Sequence, residues 1–405
     1  MNGAINVKEK TANVAAMYAL CVGLVVLPLY APQVLAPLLV PDLGLDGVAA
    51  GAFPMLSLAG YALGLLLLVP LADVAENRRL VCTILFIGAL VLGGAATAGS
   101  ALVFGAMVFA AGACCSGIQI LVPMAVHRVH EAERGRVIGT VMSGLMMGIL
   151  CSRPLASIAA QHFGWRAVFV VHAVLFGLCA ATLYLCLPIR RPAAVAGYVG
   201  LIGSMWGLVK SEPVLRRRAL SQTLCMMAFS LFWTAVPFRL QQAPFALGGD
   251  GIGLFALAGA AGVIVAPVAG RIGDSGRTAA GTRAAHVAIV VAAILAAACG
   301  GSGAWPHAHP ALALAGMAVA AFVIDLGVIG DQALGRRLVN LLDAAARARL
   351  NGLYTGLFFI GGALGAAASG PVSSRFGWNG VCAACAVVAV AALFVNRRGM
   401  AADLP

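Results

Sequence analysis

The chain has 405 residues, 62% of them hydrophobic and 10% charged, and its mean hydropathy is +0.99. A soluble protein carries about 25% charged residues, so a water-soluble globule is excluded and an integral membrane protein is indicated. The 11 cysteines all fall in apolar runs, which excludes a secreted disulfide framework. They read instead as small residues packed between helices, and this includes the CxxC pair Cys382 and Cys385.

In chain order the sequence gives twelve apolar segments, each near the ~20 residues needed to cross ~30 Å of hydrocarbon. The expected spans are 13 to 38, 48 to 71, 79 to 99, 101 to 125, 137 to 160 and 166 to 188 in a first half. A second half gives 219 to 240, 250 to 271, 283 to 302, 310 to 333, 350 to 371 and 377 to 396. Continuous rather than alternating runs predict helices, because backbone groups in lipid must be satisfied within the segment. The first run is too long for a signal-peptide core and lacks a cleavage site, so it is expected to be retained. Pro28, Pro32 and Pro37 interrupt that helix and are expected to bend it. The 50 glycines suit helices that approach closely through small residues.

The two halves are related. RGRVIGTVMSGLMMGILCSRPLASIAAQHFGW, from Arg134 to Trp165, is echoed by RARLNGLYTGLFFIGGALGAAASGPVSSRFGW, from Arg347 to Trp378. Arg136 precedes Trp165, and Arg349 precedes Trp378, by the same 29 positions. The expected organisation is a six-helix bundle over 1–188, a linker over 189–218, and a second bundle with a short tail over 219–405. Tyr198, Leu201, Ile202 and Trp206 recur at helical spacing within the linker, predicting a short helix in the membrane interface.

Placing the amino terminus and every even-to-odd connection on one side collects 22 of the 26 Lys and Arg there. Only Arg166, Arg239 and Arg375 fall opposite, and Arg153 lies within a span. That basic side is read as the cytoplasm, with both termini inside. The net charge of +12 is thereby explained by topology and anionic lipid, and no nucleic-acid partner is expected.

Two connections carry charge patterns beyond topology. After helix 2 stands Val69-Pro70-Leu71-Ala72-Asp73-Val74-Ala75-Glu76-Asn77-Arg78. After helix 8, 201 positions later by its aspartate, stands Gly270-Arg271-Ile272-Gly273-Asp274-Ser275-Gly276-Arg277. The chain resembles the major facilitator superfamily of secondary transporters, and within it the twelve-helix branch of drug:proton antiporters and metabolite exporters. That family's signature here is Gly-x-Leu-Ala-Asp-Arg-x-Gly-Arg-Arg. Leu71, Ala72, Asp73 and Arg78 match it, whereas Val69, Val74, Glu76 and Asn77 depart from it. The resemblance implies an all-α fold of two six-helix pseudo-repeats around a central cavity lined by helices 1, 4, 7 and 10.

An Asp at a helix end can accept amide hydrogen bonds from a neighbouring helix start and attract an Arg, fastening helix ends only while the cytoplasmic side is closed. The resemblance implies such a cytoplasmic gate, with Asp73, Glu76 and Arg78 facing the start of helix 11 at Arg349, and Asp274 and Arg277 facing the start of helix 5 at Arg136. The plainer alternative is that these charges only end helices and set orientation.

Ionisable residues within the spans are few. A charge at bilayer depth costs about 2.5–3.5 kcal/mol on insertion scales, so each needs a cavity or a partner. Asp325 in helix 10 is the leading proton or substrate candidate, because burial penalises the charged form of a carboxyl group and favours proton uptake as water access alternates. A satisfied structural carboxylate is the alternative. Arg153 in helix 5 is read as attracting an anionic group or bonding backbone carbonyls. At ~1.5 Å per residue Arg153 lies about 24 Å from the start of its span and Asp325 about 12 Å from the end of its own, so a direct pair between them is not the expectation. Arg153 and Ser157 stand where the antiporter motif of the resembling branch has glycines, beside Gly139, Gly144, Gly148 and Pro154. Asp331 near the end of helix 10, Tyr30 and Gln33 in helix 1, Gln119 in helix 4 and Trp233 in helix 7 are further proton or substrate candidates. His172 reads as a packed neutral histidine, and the Met and Cys clusters around Met146 and Cys114 as packing.

No phosphate-cradling GxxxxGK[ST] loop is present, and no His or Cys constellation lies outside the spans, so neither ATP-driven transport, an enzyme, a metal centre nor a cofactor is expected. The reading is a monomeric, multi-pass bacterial inner-membrane transporter. It exchanges protons for a small organic molecule, drug-like or a metabolite, with an organic anion as one candidate. Partners are that substrate, protons and membrane lipid. An importer, a facilitator, and a non-transporting sensor or scaffold are the alternatives.

Overall fold

The computed structural model describes residues 2–126, 130–189, 191, 197–343 and 346–397. Part of the expected linker and the tail from 398 onward lie outside them. Every regular element among the described residues is helical, as hydrocarbon demands of a chain that must satisfy its own backbone.

Among the described residues, ten helices are long and apolar enough to cross a membrane. Breaks within the pattern raise the spans to twelve. The run Arg347–Arg397 turns at Gly377, whose φ of 63° and ψ of −164° no helix contains. Only glycine adopts such a backbone without steric cost, and the run becomes two spans, α11 (347–376) and α12 (378–397). The eighth span, α8 (249–274), is assembled from Gly249–Ala256, a 3-10 turn at Leu257–Ala260 and Ala261–Asp274. The others are α1 (Asn2–Asp42), α2 (Gly47–Asp73), α3 (Asn77–Thr97), α4 (Ala101–Val126), α5 (Arg134–Phe163), α6 (Trp165–Cys186), α7 (Pro213–Gln241), α9 (Thr278–Gly300) and α10 (Pro310–Leu342). The fold is therefore twelve spans in two six-helix halves around a central cavity. A connecting helix, Tyr198–Ser211, joins the halves.

Within each half, paired helices meet through glycine. Cβ atoms added at Gly144 and Gly148 of α5 would come within 2.3 and 2.2 Å of the carbonyl oxygens of Ala19 and Gly23 on α1. Across α7 and α11 the same arrangement recurs: Gly361 and Gly365 meet the carbonyls of Thr223 and Met227 at 2.1 Å each. Backbones this close gain dispersion contacts, which drive helix association where no hydrophobic effect operates. α1 stays helical through Pro28, Pro32, Pro37 and Pro41. The hydroxyls of Ser57 and Ser152 donate to its Leu29 and Leu27 carbonyls in that stretch.

The halves touch each other unequally along the membrane normal. At the end away from the basic connections, Gly51 of α2 lies against the Ala366 carbonyl of α11 and Gly370 against the Val48 carbonyl, where added Cβ atoms would stand at 1.7 and 2.0 Å. On the other flank the Ser157 hydroxyl donates to the Gly249 carbonyl at 2.8 Å, and the Gly249 amide donates to Gln161 at 2.9 Å. These two seams close that end. Gly370→Val inserts a branched side chain where only backbone fits. We expect it to hold this end apart, so that an impermeant maleimide labels a cysteine placed at buried Ala50, in a background lacking native cysteines, at least tenfold faster than without the substitution.

Candidate functional site

Between the halves lies a cavity of about 580 Å³. Arg153 and Asp325 stand at its inner level, and Ala72, Asp73, Leu201 and Arg349 border it toward the basic end. The seams just described lie beyond its inner level and contribute no lining residue among the described ones.

Trp233 organises the inner level. Its indole N–H donates to Asp325 Oδ1 at 2.8 Å, while its ring face carries the Arg153 guanidinium, whose carbon lies 4.5 Å from the ring centroid. Tyr30 and Phe229 offer two more faces to that guanidinium at 4.9 and 5.2 Å. Aromatic faces attract a cation through their quadrupole and hold it without neutralising it. Arg153 Nε donates to Gln33 Oε1 at 2.9 Å, and its Nη2 is buried with no hydrogen-bond partner. All three central groups are buried: Trp233 at 1%, Asp325 at 2% and Arg153 at 3% exposure. No ion pair joins Arg153 to Asp325 among the described residues, and an indole lies between them.

The depth gap expected from counting residues is smaller in the structure. α10 continues to Leu342 rather than ending near 333, so Asp325 sits deeper than the count implied. Helical side chains also lean toward their own N-terminus, and α5 and α10 run antiparallel, so the two side chains lean toward one another.

Of the softer candidates, Tyr30 lines the cavity and Gln33 lies behind it, bonded to Arg153. Gln119 lines it and donates to the Tyr61 hydroxyl at 3.4 Å. Tyr61, Phe229, Phe358 and Phe359 also line the cavity and were not legible as site residues, since aromatic residues in apolar spans look like packing. His172 packs edge-on to Phe169 away from the cavity.

Asp331 lies elsewhere. It does not line the cavity but is fully buried within the second half, where Arg218 of α7 donates to it at 2.9 Å and His286 of α9 approaches at 3.5 Å. Arg218 also donates to Asn396 and Thr282. The sequence did signal this: Arg218, Ser221, Gln222 and Cys225 fall at i, i+3, i+4 and i+7, a polar stripe on an otherwise apolar helix. Counting Arg218 among the orienting charges concealed it.

The charged connections do not cross between halves in this state. Asp73 borders the open cavity, and Glu76 caps α3 by accepting from the Arg78 and Arg79 amides. Arg78 donates to the Leu187 carbonyl at 3.3 Å and stacks on Tyr184. Asp274 pairs with Arg337 of its own half at 3.1 Å, Arg349 donates to Ser204 of the connecting helix at 2.8 Å, and Arg136 and Arg277 are exposed. Because the cavity is open at this end, the partners named for the gate stand apart.

A helical membrane bundle whose largely apolar cavity, with a few charged groups in its wall, opens at one end and is sealed at the other by contacts between two pseudo-repeats defines a transporter. The chain belongs to the Major Facilitator Superfamily, whose pattern matches residues 18–338. It is 34% identical over 383 residues to the uncharacterized transporter YgaY of Escherichia coli O157:H7, covering 95% of this chain and 94% of that one. Its fold is similar to that of the nucleoside transporter NupG, with a TM-score of 0.70 at 17% identity over 96% of this chain and 98% of the other. A bacterial homolog of the human lysosomal transporter Spinster, inward-facing and unoccupied, gives a TM-score of 0.70 at 16% identity over 96% and 95% of the two chains.

Removing one partner of a buried ion pair leaves the other charge unsatisfied, at a cost of about 3–5 kcal/mol. Asp331→Ala is therefore expected to lower the unfolding temperature of the purified protein markedly. Asp325→Asn, which leaves no arginine without its direct partner, is expected to shift it by far less. Thermal unfolding in detergent distinguishes the two.

Proposed function

We propose that the protein is a secondary transporter of the bacterial inner membrane that moves small organic anions by alternating access, coupled to protons and running as efflux. In this reading the basic end faces the cytoplasm, both termini lie inside, and the cavity is open to the cytoplasm. Asp325 carries the proton. Arg153 attracts the anionic group of the cargo, and Tyr30 and Phe229, which line the cavity, contact its apolar part, with Trp233 buried behind the lining.

The observation that carries the reading is the bond from Trp233 to Asp325, with the guanidinium of Arg153 on the face of the same indole. A direct ion pair would bind proton and cargo groups to each other permanently. Here neither charge is bonded to the other: Arg153 lines the cavity and has a buried Nη2 without a partner, and Asp325 lines it and retains the oxygen that the indole does not engage. An anion arriving at Arg153 and a proton arriving at Asp325 then act on the two sides of one ring, which supports coupling through Trp233. The seams at the far end and gate charges whose partners lie within their own half or on the connecting helix at the near end support rocking of one half against the other.

The test is proton movement in proteoliposomes loaded with a pH-sensitive dye and challenged with anionic, neutral and cationic small molecules. We expect proton flux triggered by anionic compounds and at least a tenfold loss of that flux with Asp325→Asn. Flux without proton movement would mean facilitated diffusion, and retained uphill transport in Asp325→Asn would remove the proton role.

Arg153→Gln keeps hydrogen-bonding capacity and removes the charge. We expect the preference for an anion over its neutral amide to fall about tenfold or more, consistent with the strength of charge-assisted bonds. Competition between a carboxylate and its amide in the same vesicles measures it, and unchanged preference would assign Arg153 to structure alone.

A further inference from the structure

Arg336 and Arg337 are adjacent on α10 and look alike in sequence, as two of the orienting charges. The fold separates them. Arg337 meets Asp274 at 3.1 Å. Arg336 turns the other way and lines the cavity. Its Nε is buried without a hydrogen-bond partner. Tyr354 and Tyr61 are the ionisable groups within its electrostatic reach, and no carboxylate is among them.

The surroundings are built to hydrogen-bond rather than to neutralise. Gln332, Asn351, Thr355, Gln119 and Tyr61 line the same stretch of cavity. Asn351 donates to Asn340 and keeps a buried Oδ1 without a partner. The neighbouring cation, Arg349, is already engaged by Ser204, and Asp73, the acid at the mouth, is exposed and forms no ion pair with Arg336. Among the described residues no carboxylate neutralises this guanidinium, and a cation that lines a cavity without a counter-ion is a binding site for an anion, because cationic donors gain most from a charged acceptor.

Asp325 and Arg336 are 11 residues apart on α10, which is about 16 Å at ~1.5 Å per residue. Arg153 shares the level of Asp325. That is backbone rise, and the two side chains lean toward each other and shorten it, yet a molecule as small as benzoate has one carboxylate to give to one arginine at a time, so the two arginines act in sequence and not as one clamp. We propose that Arg336 is a second organic-anion station, at the mouth of the cavity, that takes a carboxylate- or sulfonate-bearing molecule before it moves to Arg153. This rests on reading the cavity as an organic-anion path. It adds a site that gives the approaching anion a counter-charge in the mouth, where dielectric screening weakens, and so raises the local concentration of cargo below the inner level.

The experiment is equilibrium binding of radiolabelled benzoate to the full-length protein in nanodiscs at low ionic strength, with benzamide as the neutral competitor. Wild type is expected to bind two benzoates per chain, neither displaced by benzamide at tenfold excess. Arg336→Gln is expected to bind one, and Arg336→Lys, which keeps the charge, two. Arg153→Gln is run in parallel. If it alone changes nothing while Arg336→Gln loses one benzoate, the mouth station stands and the role given to Arg153 falls. If Arg336→Gln still binds two, or benzamide displaces the benzoate, or wild type binds one that is lost only with Arg153→Gln, or wild type binds none, the station is overturned. Should Arg336→Gln not purify as a folded protein, phenylglyoxal labelling of Arg336 in wild type decides: benzoate protecting it at least fivefold is expected, and equal labelling with and without benzoate overturns the proposal.

Discussion

The structure depends on keeping two opposite charges inside a membrane, close together yet not joined. A bare arginine or aspartate at bilayer depth is costly, and a direct ion pair removes much of that cost by making both groups unavailable. Trp233 resolves the conflict by offering a hydrogen bond at its edge to Asp325 and an electron-rich face to Arg153. Tyr30 and Phe229 extend the aromatic contact around the guanidinium. Each charge has a direct partner that is not the other charge, while the two still attract each other at a distance.

The end of the cavity away from the basic connections is closed in large part by the smallest residues in the chain. Gly51 and Gly370 bring backbone against backbone at the sealed end. At these two glycines the contact is backbone on backbone, without interlocking side chains. The contacts within each half, Gly144 and Gly148 on one side and Gly361 and Gly365 on the other, use the same residue but are repeated over successive turns. They hold helix pairs together as units within each half.

A second buried charge system answers to a different requirement. Arg218, Asp331, His286 and Asn396 tie α7, α9, α10 and α12 together inside the second half. Arg218 and Asp331 satisfy each other directly, the opposite of what Trp233 arranges 6 residues along α10 from Asp331 at Asp325. The contrast separates a pair that fixes a bundle from a pair that works in a cavity, although both begin as one aspartate in the same apolar helix.

The sequence by itself determined the class, the twelve spans and the repeated halves, and it singled out Asp325 and Arg153 as charges within spans, because hydrophobic length, recurrence of a motif and the rarity of intramembrane charge are properties of the chain read in one dimension. It also placed the connecting helix from the spacing of Tyr198, Leu201, Ile202 and Trp206. What it did not decide was which side chains meet. The run of α10 past 333 to Leu342 and the lean of side chains along antiparallel helices set the depths of Arg153 and Asp325, and residue counting missed both. Arg218, Arg336 and Arg337 carry the same letter and the same topological signal, yet one is locked to Asp331, one faces the cavity and one pairs with Asp274. Only the tertiary structure decided this, because the rotation of each helix about its axis is fixed by the packing of its neighbours and not by its own composition.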